Sequence, residues 1–166
     1  MINEFRRYVD WTALLIAALV AGTVFLLMQF LLMPLFLEVE GQLVLQYSAS
    51  LVLGADALTD NDSSVLIIGV IVHYILAFAF TFLITFVIHR WGLLVGIIGG
   101  AILGLAIYGI NLYTMTIPEF FDWYFALNSN VLLLSHVVFG AVAGGVYELF
   151  DHYDNPIVEG NTDNDA

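Results

Sequence analysis

Four long apolar stretches, roughly 11–37, 65–88, 92–115 and 131–150, carry no charge in their central turns, and this pattern restricts the chain more than any other feature. A helix needs about 20 apolar residues to cross the hydrocarbon of a bilayer. Each stretch meets that length. The chain has 166 residues, of which 61% are hydrophobic and 11% charged, and its mean hydropathy is +0.97. A soluble domain of this size has too much surface for its volume to hide so much apolar area, whereas lipid removes the difficulty. The expected fold is therefore all-α: a polytopic membrane protein with four transmembrane helices in an antiparallel bundle. The first stretch is too long for a removed signal peptide and lacks a small-residue cleavage site, so it reads as a retained helix.

The connections are unequal. The segment from Glu38 to Ser63 is the longest, and it mixes Leu43, Val44, Tyr47, Leu51, Val52 and Leu58 with Gln, Ser and Asp. That mixture suits a short interfacial helix, lying on the membrane or folded over the bundle mouth. Asp62, Ser63 and Ser64 are N-cap candidates for the second span, and Asn128 or Ser129 for the fourth. The turn holding His89 and Arg90 is minimal, so spans two and three should form a tight hairpin. Tyr8 and Trp11 at one end, and the run from Phe120 to Phe125 after Pro118 at the other, suit the membrane–water interfaces. Residues 1–153 form one domain, followed by an acidic, flexible tail over 154–166.

Charge gives orientation and narrows the partners. The three arginines, Arg6, Arg7 and Arg90, all fall on one face of a four-span chain. The positive-inside rule then places both termini in the cytoplasm. The net charge of −12 argues against nucleic acid and anionic-lipid recognition. An outer acidic face of Glu38, Glu40, Asp56, Asp60 and Asp62 would steer cations or a basic soluble protein, and is otherwise a solvated surface that limits aggregation. Glu148 and Asp151 oppose the dipole of their own helix and should pair with an arginine or a partner. With no cysteine, disulfides, thiolate chemistry and iron–sulfur clusters are excluded.

Glycines in the third span recur every four residues, at Gly92, Gly96, Gly100 and Gly104, and the fourth carries Gly140 and Gly144. Small residues at this spacing form a groove that lets another helix approach closely, a main source of association in lipid. The groove suits packing inside the bundle, or docking of a helix from another subunit.

Each span also keeps a neutral polar residue in the outer half of the bilayer: Gln29, His73, Asn111 and His136, with Tyr108 one turn deeper. A rise of about 1.5 Å per residue puts all of them within roughly two turns in depth. Three uses are open. The groups can hydrogen-bond to one another and fix helix register. His73 and His136 can ligate a metal or a haem b iron. They can also line a path for protons or a small solute. No third histidine or carboxylate joins the pair, and no nucleophile–base–acid set, phosphate loop or HExxH motif occurs. An enzyme is not expected.

Several of these residues also carry a resemblance. Leu51-Val-Leu-Gly with Asp56 and Leu58 after it, His73 followed by an aromatic, Tyr108 through Asn111 to Tyr113, the Trp123 region, and His136-Val-Val-Phe-Gly140 stand in the chain. On these the protein resembles a family of small four-helix bacterial inner-membrane proteins, some labelled sodium:proline symporter. Carriers of that type have many more helices, broken at the site, so the resemblance implies a bacterial inner membrane and no activity. The expected role is a non-catalytic accessory or stabilising subunit of a larger, respiratory or other redox, membrane complex. Its partners would be other membrane subunits, lipids and a basic soluble protein such as a cytochrome c.

Overall fold

The computed structural model describes residues 9–88, 90–115 and 130–151, and all regular structure among them is helical. The helices are α1 (Trp11–Leu37), α2 (Leu43–Leu53), α3 (Ser63–Ile88), α4 (Leu93–Met115) and α5 (Asn130–Phe150), with a 3-10 turn at Ala55–Leu58. All but α2 are long and apolar enough to cross a membrane, and their ends lie within two residues of those read from hydropathy. Arg6, Arg7, Tyr8, His89, the aromatic run after Pro118, Asn128, Ser129, His152 and the acidic tail lie outside the described residues.

Local chemistry sets the helix ends. Asp10 starts α1 by accepting the N–H groups of Thr12 at 2.8 Å and Ala13 at 3.0 Å, satisfying donors that the first turn leaves open. Glu38 ends α1 in a left-handed conformation, φ 57°. Asp62 performs the N-capping role at α3, its Oδ1 accepting the Ser64 N–H at 2.7 Å. These bonds hold the exposed Asp62 carboxyl below its ordinary 3.8. A depressed folded-state pKa means the cap is complete above 3.8 and fades as pH falls through the lower folded value. The Ser64 amide resonance should therefore titrate with a midpoint below 3.8, and Asp62→Asn should flatten the curve. A midpoint at or above that value would remove the cap from the account.

Helix α5 is the centre of the bundle, packing along α4 and also against α1 and α3. Half of its span is buried, against 22% for α4. The closest seam is glycine on glycine. A β-carbon on Gly100 would collide with the Gly140 carbonyl oxygen, one on Gly104 with that of His136, and one on Gly144 with that of Gly96. The four-residue glycine repeat of the third span is thus occupied by the chain's own α5 rather than left open as a groove. Gly92 is a correction. It lies before α4 with φ 89° and open space where a side chain would be, so it shapes the turn rather than seating a helix.

The short helix of the long loop packs chiefly on α3 and touches α1. Seven consecutive residues of α2, from Val44 to Ser50, are buried, so the helix is not a raft with one face in water. Two glycines seat it. Gly41 presses on the Phe30 backbone, where a β-carbon would stand 2.7 Å from Phe30 Cα, and the Leu45 carbonyl rests on Gly69 of α3. Gln46 Nε2 donates to the carbonyl oxygen of Asp60 at 3.0 Å and to Asn61 Oδ1 at 3.1 Å, tying α2 to the strand of chain that leads into α3.

At the opposite end Arg90 Nε approaches Asp151 Oδ2 at 3.7 Å. Glu148, expected to pair with an arginine or a partner, meets a backbone N–H instead. Its Oε2 accepts the Gly92 N–H at 2.9 Å, so the carboxylate lies at the positive N-terminal end of the neighbouring α4. Tyr147, fully buried, accepts the Asp10 N–H at 3.1 Å and links α5 to the start of α1.

Candidate functional site

Each imidazole is anchored to a backbone carbonyl. A carbonyl only accepts, so the ring nitrogen facing it must carry the proton. His73 donates from Nε2 to Gly22 O at 3.0 Å, fastening α3 to α1. His136 donates from Nδ1 to Leu132 O at 2.9 Å, one turn back on its own helix. With that tautomer fixed, His136 Nε2 accepts from Asn111 Nδ2 at 3.2 Å and fastens α5 to α4.

Phe25 of α1 packs against both rings. Its centroid is 5.6 Å from that of His73 and 5.1 Å from that of His136, the latter edge-on at 90°. Tyr108 stands at 5.6 Å from His136 on another side. The polar residues do not, however, form one mutual network. His73 bonds to backbone, Asn111 and His136 bond to each other, and Gln29 joins neither. The Gln29 side chain is wholly buried, and neither its Oε1 nor its Nε2 has a hydrogen-bond partner.

This arrangement limits what the pair can hold. In the neutral rings the lone pairs are on His73 Nδ1 and on His136 Nε2, and Asn111 already engages the second. Anchoring the other ring nitrogen to a carbonyl is how metal-bound histidines are commonly oriented. Among the described residues, though, no group of three or more His, Cys, Asp or Glu comes together. A bis-histidine haem would need a macrocycle between the rings, and the Phe25 phenyl is packed against both.

Three contributors escaped the reading from sequence. Phe25 is one, hidden because a phenylalanine in an apolar span carries no signal. Gly22 is another. A β-carbon there would stand 3.0 Å from Ala77 Cβ, so its small size brings α3 close enough for His73 to reach its carbonyl. The third is a pair, Tyr74 OH donating to Thr23 Oγ1 at 2.8 Å, since the Thr23 hydroxyl itself donates to Leu19 O at 2.7 Å. A hydroxyl in an otherwise apolar run was the available clue.

The Asn111–His136 bond makes a measurable prediction. A double-mutant cycle with Asn111→Leu and His136→Phe should give a coupling of about 0.6–1.7 kcal/mol, the range for hydrogen bonds between membrane helices. Additive effects would mean that the bond contributes nothing. At the α2 end, Glu38, Glu40, Asp56, Asp60 and Asp62 are all exposed. Some have local work: Glu40 accepts from Gln42 Nε2 at 2.6 Å, and Asp60 accepts the Asp62 N–H at 2.8 Å.

Compared with protein-family models, with curated proteins and with solved structures, the chain matches none of them.

Proposed function

We propose that the chain is a non-catalytic, multi-pass protein of a bacterial inner membrane, acting as an accessory, stabilising subunit of a larger respiratory or redox assembly. One observation carries the reading: His73, Asn111 and His136 of the core are used in fastening helices. His73 holds α3 to α1, and Asn111 with His136 holds α4 to α5. Polar side chains used this way make a rigid body rather than a reaction centre. Since the glycine seam is filled from within, a partner subunit would engage outward faces instead. The stripe of Leu94, Ile98, Ile102 and Ile110 on α4, all exposed, is one such face. The positive-inside rule supports a cytoplasmic Arg90 end and an acidic α2 end outside.

Native mass spectrometry of protein released in mild detergent tests the proposal. The expected result is a colourless, metal-free chain held at fixed ratio by other subunits. A chain that is always alone, or one with a Soret band or stoichiometric metal lost in His73→Ala, would overturn it. If the outer partner is a basic protein, charge reversal at Glu38, Glu40, Asp56, Asp60 and Asp62 should weaken its binding and flatten the salt dependence. Unchanged binding would discard that partner.

A further inference from the structure

We infer that Gln29 faces a closed internal site, roofed by α2, which holds a small neutral molecule able both to donate and to accept hydrogen bonds: water, or a solute of similar size. The argument starts from the carboxamide. It offers two N–H donors and an oxygen with two lone pairs, it has no exposure, and no protein atom bonds to either end. Water cannot reach a lipid-shielded interior freely, so an amide left bare there is among the costlier defects a membrane protein can carry. Something present in the folded protein satisfies it.

The surroundings indicate where. Gln29 lies one turn from Phe25 and one turn from Met33 on the inward face of α1. Those two residues belong to the apolar cluster that also contains Val44, Leu45 and Tyr47 of α2 and Val131 of α5. Beside Gln29 in sequence, Phe30 is the residue on which Gly41 presses, and the Leu45 carbonyl meets Gly69 of α3. Gly41 and the first turn of α2 thus reach α1 and α3 beside Gln29. The amide carries no charge to hold an ion, and an apolar guest would leave it unmet. A neutral donor–acceptor molecule suits both limits. Thr81 Oγ1 is also buried without a partner, but a threonine hydroxyl can reach a carbonyl of its own helix by rotation about one bond. It needs no guest.

The chain has three glutamines, Gln29, Gln42 and Gln46, which makes the test simple. Protein carrying nitrogen-15 in its glutamine side chains, in deuterated detergent or nanodiscs, should show three amide pairs. Gln29→Leu assigns one of them. Should that variant fail to fold, Gln42→Leu and Gln46→Leu assign it by elimination. The expected result is cross-relaxation from the Gln29 amide protons to a long-lived water. Cross-relaxation to non-exchangeable protons of a co-purified solute would support the same site with the other occupant. Contacts from this amide to protein protons alone, or to lipid acyl protons with protonated lipid, would overturn the inference.

Discussion

Gly140→Val should separate α4 from α5 and cost the bundle at least about 3 kcal/mol, the upper part of the usual overpacking range. The reason is what surrounds the position. A β-carbon on Gly140 would meet the Gly100 carbonyl oxygen and stand 2.8 Å from Gly104 Cα. Both are backbone, fixed by the helix of which they are part, so no side-chain rotation can relieve the clash. The helices must part, and in lipid no hydrophobic force holds separated helices together. Unfolding in mixed detergent measures the loss. Gly109→Val is the matched control, because nothing lies within 4 Å of a β-carbon there, and it carries the same β-branched penalty in a helix. Similar midpoints for the two variants would show that the glycine seam does not hold the bundle.

The same seam shows where sequence is informative and where it stops. Spacing by four put Gly96, Gly100 and Gly104 on one face, and that is a property of the helix alone. Which helix fills the face depends on tertiary packing, so internal and intermolecular use could not be separated beforehand. Gly92 fits the spacing but stands one residue before α4 with φ 89°. A glycine that permits close approach and one that permits a turn look alike in sequence. The spans themselves were legible because a long apolar run with capped ends has few alternatives.

For the polar layer, sequence gives an expected depth and says nothing of rotation. Helix rise places His73 and His136 at a common level, and Phe25 touches both. Whether two groups on different helices meet also depends on how each helix is turned about its axis, which no residue count supplies. Gln29 is the clearest case: a mutual network was one of the open uses, and its side chain is buried without a protein partner. Glu148 is another. Judged along its own helix it looks unfavourable, yet the neighbouring α4 presents its N-terminus to it, and only packing shows that.

Gly69→Val is expected to lift α2 from the bundle while leaving the four spans helical. A β-carbon on Gly69 would collide with the Leu45 carbonyl oxygen and stand 3.0 Å from Leu45 Cα. The obstacle again is backbone, but its mobility differs from that at Gly140. Short and joined through Gly54, φ 85°, to the chain leading into α3, α2 can yield as a unit without dragging a span with it. Amide exchange across residues 43–53 should then accelerate by about 5–150-fold, the equivalent of a ~1–3 kcal/mol overpacking cost, while exchange in α5 stays as it was. Tyr47 gives an independent readout. Burial pushes its phenol above the ordinary 10.0. A raised phenol pKa stabilises the seated helix at pH below 10 and loses that contribution as pH rises through the folded value. Wild-type α2 should therefore loosen under strong alkali, and Gly69→Val should return the phenol toward 10.0. Unchanged protection over 43–53 in that variant would mean that α2 is held by something other than its contact with α3.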